Sequence, residues 1–503
     1  MKFQTHLARF FPDRKFMLNL RHVLLVGAVS LISALPSPAK ETIVVEIGAD
    51  PAGPMIPADA LGLSYETSIL RPNADGLRYF RPGNRELLQV FRTIGVKSLR
   101  IGGNSVDDPK VPLPDKDDVR SLFLFARKAG VKVIYSVRLQ DGDPASAAGF
   151  ARLIHEEFPD ELECFAIGNE PSYYKDYRVY KEKWAAIRDA IVRAFPEARF
   201  CGADDNPKPE LIANLVRDFG TGEGRLVQIT QHSYPFGCSY KNPRDGMKDV
   251  KLLVPVDAAE ARKRLVAAPP VGTYEEILKG MQAAVAGTPL TFRLTETNSF
   301  WFSGLEGASD RHASALWAVE YLHWWMSHGA AGINFHTGDR TGGSVNLPCR
   351  YAAFVSSAQG YEVRPLAYGM KLFAESGAGR YLPARVEATP GNQVAAYAVA
   401  RGDGVIAVTL LNRDTKNEAG IRVDLASAKA VKGARVLKLQ ARANDIAAES
   451  RDVTLNDVNI DEGGKWKGQW IVLGKPAIAG TAVSVTLAPA SAVVVEVSTV
   501  PQR

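Results

Sequence analysis

Residues 164–171 read CFAIGNEP, in which four apolar residues are followed by Gly168, Asn169, Glu170 and Pro171. A short apolar run with aromatic or β-branched members is typical of a strand that is buried on both faces, as in a parallel sheet. Pro171 has no backbone N–H, so it ends the strand and fixes the turn that follows. The segment therefore predicts a buried strand over CFAIGN (164–169), with the carboxylate of Glu170 directly after it.

Segments of the same kind flank this strand on both sides, and amphipathic helical segments separate them. The other predicted strands are LGLSYE (61–66), SLRIGG (98–103), KVIYSVR (132–138), RFCGAD (199–204), VQITQHS (227–233), TFRLTE (291–296) and GINFHT (332–337). Eight such alternations over about 320 residues predict an α/β fold, a (β/α)8 TIM barrel at 55–378. A doubly wound open sheet is the alternative, but no Gly-x-Gly-x-x-Gly follows an early strand.

The sequence loses its helical period after about residue 380. Short strand-like segments replace it: QVAAYAVAR, GVIAVTLLNR, IRVDLAS, ARVLKLQ, WIVLG, AVSVTLA and SAVVVEVS. They predict an antiparallel β-sandwich domain at 379–503. The strand TIVVEIG, within segment 40–54, precedes the barrel, and we expect it to join the sandwich because it otherwise has no partner.

The first 39 residues have the pattern of an export signal. Basic residues within 14–22 precede an apolar run at 23–35, which is too short to span a bilayer comfortably. Ser37 and Ala39 follow at positions suited to cleavage. We therefore expect a secreted or periplasmic protein, with an uncleaved anchor helix as the alternative.

Bulk composition argues against several function classes. The net charge is +6, and no dense block of Lys and Arg is present, so a nucleic-acid partner is not expected. No later stretch is long and apolar enough for stable membrane insertion. The eight histidines form no HExxH-type motif, so neither a metal nor another cofactor is predicted.

Four cysteines are present, and their spacing fits no zinc motif. Cys164 and Cys201 fall inside predicted core strands, which favours buried thiols. Cys238 and Cys349 fall in predicted loops, where an oxidising compartment permits a disulfide between them.

Two strand ends carry the residues that indicate a chemistry. In a (β/α)8 barrel the reactive groups lie at the carboxyl ends of the strands. The fourth strand ends at Glu170 and the seventh at Glu296, on opposite sides of the ring. Glycosidic cleavage needs such a pair, one carboxyl to protonate the leaving oxygen and one to attack the anomeric carbon. Retention of configuration requires them roughly 5–5.5 Å apart.

Five motifs then carry a family resemblance: LGLSYET, LRIGGNSVD, FAIGNEP, QHSYP and TETNSF. With these motifs in this order, the chain resembles the clan of retaining glycosidases that carry the acid/base on strand four and the nucleophile on strand seven. Within that clan it is most similar to glycoside hydrolase family 79, the β-glucuronidase and heparanase group. The resemblance spans nearly the whole chain after the export signal.

The resemblance implies roles for individual residues. Glu170 would be the acid/base and Glu296 the nucleophile. Asn169 would bind the 2-hydroxyl of the sugar, and Tyr234 would hydrogen-bond the nucleophile. His232 lies two residues before Tyr234, on the same side of its strand.

Other implied contacts concern the terminal sugar, for which Glu66 and Asn104 would hold further hydroxyls. The family binds a uronate carboxylate with a glycine-rich loop after the nucleophile strand, helped by a tyrosine after strand eight. Here that loop reads SFWFSGLEG (299–307), in which aromatic residues replace glycines and only Gly304 and Gly307 remain. Tyr351 is the candidate tyrosine.

Positive charge near the predicted site comes from His336 and Arg340, just past strand eight. A purely structural role in the loops is the alternative for these two residues, as for Gly304 and Tyr351. Trp301 and Phe302 offer ring faces on which a sugar can stack. Tryptophans 317, 324 and 325 fall on a predicted helix and suit core packing.

The expected function is removal of terminal β-glucuronic acid from glycosides or polysaccharides, with an anionic carbohydrate as the partner. Two alternatives remain open. One is a xylosidase, arabinofuranosidase or endoglucanase-like enzyme of the same clan. The other is a carbohydrate-binding protein without catalytic activity on a hydrolase scaffold.

Overall fold

The structure is a computed structural model of the protein. It describes residues 42–50, 53–237, 257–269, 271–340, 347–387, 391–426 and 428–501. The predicted export signal at 1–39 lies outside these residues, as does Cys238. Within the described residues, no helix is long and apolar enough to cross a membrane.

The first strand, β1 (Ile43–Ile47), is followed by eight strands that form a closed parallel barrel. They are β2 (Leu61–Glu66), β3 (Ser98–Gly102), β4 (Lys132–Val137), β5 (Leu162–Ile167), β6 (Phe200–Asp205), β7 (Leu226–Ser233), β8 (Thr291–Thr297) and β9 (Ile333–His336). Closure is made by β2, which pairs with both β3 and β9. This excludes the open-sheet alternative and confirms the predicted barrel.

Helices lie between and after the barrel strands. They are α1 (Arg85–Ile94), α2 (Asn104–Asp107), α3 (Lys116–Ala129), α4 (Pro144–Glu157), α5 (Tyr177–Ala194), α6 (Pro209–Phe219), α7 (Ala258–Val266), α8 (Val271–Val285), α9 (His312–Ser327) and α10 (Pro365–Glu375). Their starts follow local chemistry: the Asp143 side chain accepts from two backbone N–H groups of α4, whose first residue is Pro144. Helix α9 is buried almost all round, which agrees with its three tryptophans as core residues.

A β-hairpin and two further sheets complete the described fold. The strands are β10 (Phe354–Ser357), β11 (Gly360–Val363), β12 (Gly379–Leu382), β13 (Ala384–Val386), β14 (Val394–Arg401), β15 (Val405–Asn412), β16 (Ala419–Leu425), β17 (Ala428–Ala441), β18 (Val453–Leu455), β19 (Ile471–Leu473), β20 (Ile478–Ala479), β21 (Ala482–Leu487) and β22 (Ser491–Pro501). One sheet has the order β13-β1-β16-β21-β20, and the other β12-β14-β15-β22-β17-β18, with β19 also on β17.

The two sheets share one apolar core, to which Val423 and Val483 contribute from one sheet and Val408 and Val495 from the other. Strand β1 belongs to this sandwich, because it pairs in parallel with β16 and antiparallel with β13. A segment that precedes the barrel in sequence is thus held by strands that follow it.

The described cysteines are free thiols. Cys164 and Cys201 lie in barrel strands and are buried, as their sequence context indicates. Cys349 is also a buried free thiol. Burial raises its pKa, so the neutral thiol is favoured.

Candidate active site

Glu170 follows the carboxyl end of β5 in an unusual backbone conformation. Its φ is 45° and its ψ 58°, the left-handed region that few residues other than glycine adopt. Its N–H donates to the carbonyl of Asp204 over 2.7 Å, and Pro171 begins one turn of 3-10 helix directly after it. The side chain is 28% exposed, so the carboxyl group is accessible from the barrel mouth.

Glu296, near the end of β8, is buried and closely bound. Arg100 Nη1 donates to its Oε2 over 2.7 Å, and the Tyr234 hydroxyl donates to its Oε1 over 2.8 Å. The sequence interpretation anticipated the tyrosine contact. Both contacts favour the ionised carboxylate, because each donates to a carboxylate oxygen.

The two glutamates meet across the barrel mouth, with His232 beside them. One oxygen of each carboxylate and one ring nitrogen of His232 all lie within 4.8 Å of one another. His232 Nδ1 lies 3.0 Å from Glu170 Oε1. Two carboxylates that are far apart in sequence therefore face one small volume.

Arg100 lies inside the barrel, beneath the two glutamates, and contacts several residues of the site. It lies on β3, its side chain is fully buried, and it contacts Glu296, Asn169 and Asp204. Its Nη2 lies 2.7 Å from Asn169 Oδ1 and 3.0 Å from Asp204 Oδ2. Sequence reasoning missed this residue, although a charged side chain inside the apolar run SLRIGG was a signal.

Electrostatics hold Glu296 ionised. Burial alone raises the pKa of a carboxyl group. The charges of His336, His232 and Arg100 outweigh burial, and with the Tyr234 hydrogen bond they place the pKa of Glu296 well below its ordinary value. This carboxylate is therefore available as a nucleophile at neutral pH.

His232 and Asp204 form the second charged layer of the site. Burial lowers the pKa of His232, but the charge of Glu296 and the hydrogen bond to Glu170 raise it above its ordinary value. Burial raises the pKa of Asp204, but the charge of Arg100 and then that of His232 lower it. Sequence reasoning missed Asp204, although Asp204 and Asp205 at the end of an apolar strand were a signal.

A cavity of about 580 Å³ opens above the two glutamates. Besides Trp301 and Phe302, seven residues singled out in the sequence line it: Glu66, Asn104, Glu170, Tyr234, Glu296, His336 and Tyr351. The wall is completed by Asn206, Pro207, Ser233, Pro235, Gly237, Thr273, Ile277, Trp301, Phe302 and Ser303. Its volume is in the range of small-molecule sites.

His336 connects two acidic groups of the cavity wall. Its Nδ1 lies 3.7 Å from Glu296 Oε2, and its Nε2 lies 3.7 Å from Glu66 Oε1. Glu66 is also fixed by the backbone N–H of Ser105, which donates to its Oε2 over 2.8 Å. Tyr351 stands beside them, with its ring centroid 6.1 Å from that of His336.

Two of the predicted sugar-binding residues do not line the cavity. Gly304 packs closely, since a Cβ atom there would meet Ser309 at 3.0 Å and the Tyr351 backbone nitrogen at 2.9 Å, and its contact with a substrate stays a prediction. Asn169 is only 4% exposed, with its carbonyl oxygen held by Arg100 and its amide donating to Asn104 over 3.1 Å. Arg340 is exposed and also lies outside the wall.

The loop after β8 forms one side of the cavity with aromatic rings. The rings of Trp301 and Phe302 stack with centroids 4.4 Å apart. Phe302 and Ser303 have φ values of 58° and 72°, so this loop turns through the left-handed region. The Ser303 carbonyl accepts from the Arg350 backbone N–H over 2.6 Å, which ties the loop to the segment after β9.

The spacing of Glu170, His232 and Glu296 also suits a metal ion. However, Arg100 already pairs with Glu296 at 2.7 Å, and a guanidinium at that distance repels a cation. The donor set therefore suits proton transfer better than metal binding.

Comparison with known proteins gives the fold. No protein-family model and no curated protein matches the sequence. Among solved structures, a 4-O-α-L-rhamnosyl-β-D-glucuronidase from Fusarium oxysporum 12S matches with a TM-score of 0.66 and 18% identity, over 90% of this chain and 99% of that one. At this identity the likeness establishes the fold alone.

Two further solved structures match over similar lengths. The GH51 arabinofuranosidase from Xanthomonas axonopodis pv. citri has a TM-score of 0.62 and 14% identity, over 91% of this chain and 99% of that one. A monomeric β-xylosidase from Caulobacter crescentus CB15 has a TM-score of 0.60 and 16% identity, over the same shares. The chain therefore has the fold of these three glycosidases, a (β/α)8 barrel with a β-sandwich.

Proposed function

We propose that this protein is a retaining glycoside hydrolase with Glu170 as acid/base and Glu296 as nucleophile. The observation that carries the proposal is the approach of the two carboxylates to within 4.8 Å at the mouth of the barrel. An inverting enzyme needs a gap of about 6.5–9.5 Å between its carboxyl groups to hold the attacking water. The shorter distance supports direct attack by a carboxylate on the sugar.

In the first step, ionised Glu296 attacks the anomeric carbon while Glu170 gives a proton to the leaving oxygen. The glycosidic C–O bond breaks and an ester bond to Glu296 forms. The hydrogen bond between His232 Nδ1 and Glu170 Oε1 orients the acid for this transfer. The aglycone then leaves as a neutral alcohol.

In the second step, water attacks the anomeric carbon of the glycosyl-enzyme. Glu170, now ionised, accepts a proton from that water, and the ester bond to Glu296 breaks. Glu296 returns as a carboxylate, and Arg100 and Tyr234 are already in place to stabilise its charge. Two displacements at the same carbon give net retention.

For the substrate we propose a terminal β-glucuronide or a related uronate. The support is the family 79 resemblance of the motifs, together with His336 and Tyr351 at the cavity wall. The matched Fusarium structure is a 4-O-α-L-rhamnosyl-β-D-glucuronidase in complex with Rha-GlcA.

A neutral sugar is the second candidate, and a specific observation favours it. The charge-bearing side chains in the described wall of the cavity are three carboxylates, Glu66, Glu170 and Glu296, with His336 beside them. A negative wall disfavours an anionic substrate. The arabinofuranosidase and β-xylosidase among the matched structures act on sugars of this class.

A panel of nitrophenyl glycosides, assayed with wild type and Glu296→Gln, separates these candidates. Turnover of the glucuronide supports the proposal of a uronate substrate, whereas turnover of only the xyloside or arabinofuranoside contradicts it. A fluorinated inactivator of the preferred sugar should label Glu296, as mapped by peptide mass spectrometry. Sugar binding without turnover of any glycoside would instead indicate a carbohydrate-binding protein.

We also propose that the protein is exported, on the strength of the signal-like segment at 1–39. Amino-terminal sequencing of the protein from fractionated cells tests this. A mature chain that begins at Lys40 supports export, and an intact terminus in the cytoplasmic fraction contradicts it.

A further inference from the structure

Asp107, the last residue of α2, accepts hydrogen bonds from four donors in two loops of the barrel mouth, those after β4 and β5. Its Oδ1 accepts from the backbone N–H groups of Leu139 and Gln140 over 2.7 and 3.0 Å. Its Oδ2 accepts from the Asn169 backbone N–H over 2.9 Å and from the Tyr173 hydroxyl over 3.1 Å. Asp107 is 5% exposed, so the four bonds satisfy a buried carboxylate.

Oδ2 of Asp107 holds the chain on both sides of Glu170. One bond reaches the residue directly before the glutamate, and the other reaches Tyr173, three residues after it. Between these two points Glu170 has a φ of 45°. A residue with a side chain keeps such a conformation only where its surroundings impose it.

We infer that Asp107 is a positioning residue, whose carboxylate holds the turn that aims the Glu170 side chain at the sugar. The inference rests on the proposed function, because it assigns Asp107 to the acid/base of that mechanism. Asp107 lies outside the wall of the cavity, so it acts through the backbone and not on the substrate.

The effect of Asp107 is separable from sugar binding. The Asn169 side chain has its own anchors, Arg100 at 2.7 Å and Asn104 at 3.1 Å. Glu296 is held by Arg100 and Tyr234, neither of which contacts Asp107. Loss of the Asp107 carboxylate should therefore displace the acid and leave the nucleophile in place.

The experiment compares Asp107→Asn with wild type on phenyl and dinitrophenyl glycosides of the sugar that wild type prefers. The phenyl group needs a proton on the glycosidic oxygen and leaves as phenol, whereas the dinitrophenyl group leaves as the dinitrophenolate anion without a proton. An asparagine turns an amide toward N–H and O–H donors and cannot accept all four bonds. We expect kcat/KM to fall about 10–100-fold for the phenyl glycoside and to change little for the dinitrophenyl glycoside.

The matched control is Asp108→Asn. Asp108 is the next residue in the chain, and its Oδ1 accepts only from the Lys110 backbone N–H, over 2.9 Å. Both substrates should be cleaved by this variant at the wild-type rate. An equal fall on both substrates with Asp107→Asn, or no fall on either, overturns the inference.

Two further measurements keep the test decisive. If wild type cleaves no glycoside, the proposed function fails. The positioning role is then tested by the crystal structure of Asp107→Asn, and a Glu170 side chain in the same place as in wild type overturns it. If Asp107→Asn does not fold, Tyr173→Phe removes one of the four bonds at a position that is 37% exposed. In this variant too, kcat/KM should fall more for the phenyl glycoside than for the dinitrophenyl glycoside, but by a smaller factor than in Asp107→Asn. Equal effects on both substrates overturn the inference.

Discussion

Arg100 lies 2.7 Å from Glu296 inside the barrel, and its side chain is fully buried. The guanidinium reaches the carboxylate from below, whereas the cavity opens above it. A substrate can therefore approach Glu296 without displacing its counter-charge. The desolvation cost of burying the guanidinium is offset because Arg100 also contacts Asp204 and Asn169.

Arg100→Lys tests this relationship. Lysine keeps the charge but cannot contact Glu296, Asp204 and Asn169 together, because it lacks the planar fork. Arg100 lowers the pKa of Glu296, so a weaker contact raises that pKa. The acid limb of the pH profile of kcat/KM should move to higher pH, with a loss of stability of about 3 kcal/mol. An acid limb that stays in place contradicts the assigned role.

Tyr234→Phe removes one hydrogen bond to Glu296 and leaves Arg100 in place. The hydroxyl donates to Oε1 over 2.8 Å, and a bond to a charged group contributes about 1.5–3 kcal/mol. We expect kcat/KM to fall about tenfold or more. The control is Tyr368→Phe, which removes a buried hydroxyl that accepts from the Ile460 N–H, far from the cavity. Equal effects of the two variants would show that the loss is one of general packing.

Trp301→Ala probes the aromatic side of the cavity. Its ring stacks on Phe302, and both residues line the cavity. Loss of a stacking surface for the sugar or aglycone should raise KM about fivefold with little change in kcat. Trp470→Ala, in the sandwich, is the control, because that ring contacts Arg435 instead. Wild-type KM values for Trp301→Ala would remove this residue from the binding surface.

Stability should fall in mild acid because of two buried histidines on α9. Burial lowers the pKa of His312 to about 4 and that of His323 to about 3. The unfolded chain takes up these protons below about pH 6.5, so folding loses free energy as pH falls, about 2 kcal/mol per histidine by pH 5. Denaturant unfolding at pH 7 and pH 5 measures this loss.

The matched variants for that measurement are His323→Gln and His155→Gln. Glutamine at 323 can keep the contact of His323 Nδ1 with the Tyr381 hydroxyl, 2.9 Å long, and carries no titrating group. It should reduce the pH dependence. His155→Gln, at a side chain that is 40% exposed, controls for the replacement of a histidine by glutamine as such. If the free energy of unfolding of His323→Gln depends on pH as strongly as that of wild type, His323 is not a source of the pH dependence.

Much of the barrel was predictable because its signals are local. The predicted ends of the strand at Leu61–Glu66 agree with the structure, and each of the other barrel strands differs by no more than two residues at either end. Strand length, apolar content and the flanking turns are set by neighbouring residues, so they can be read without the fold. The local sequence does not decide which side of the loop that carries Gly304 faces the cavity, because that depends on what packs behind the loop.

The sequence by itself determined the alternation of strands and helices, and with it the placement of Glu170 and Glu296 at the ends of strands four and seven. Only the tertiary structure decided that Arg100 and Asp204 lie beneath them and that Asp107 holds the turn of Glu170. The physical reason is that periodicity acts over a few residues, whereas these contacts join strands and loops whose proximity exists only once the barrel has closed.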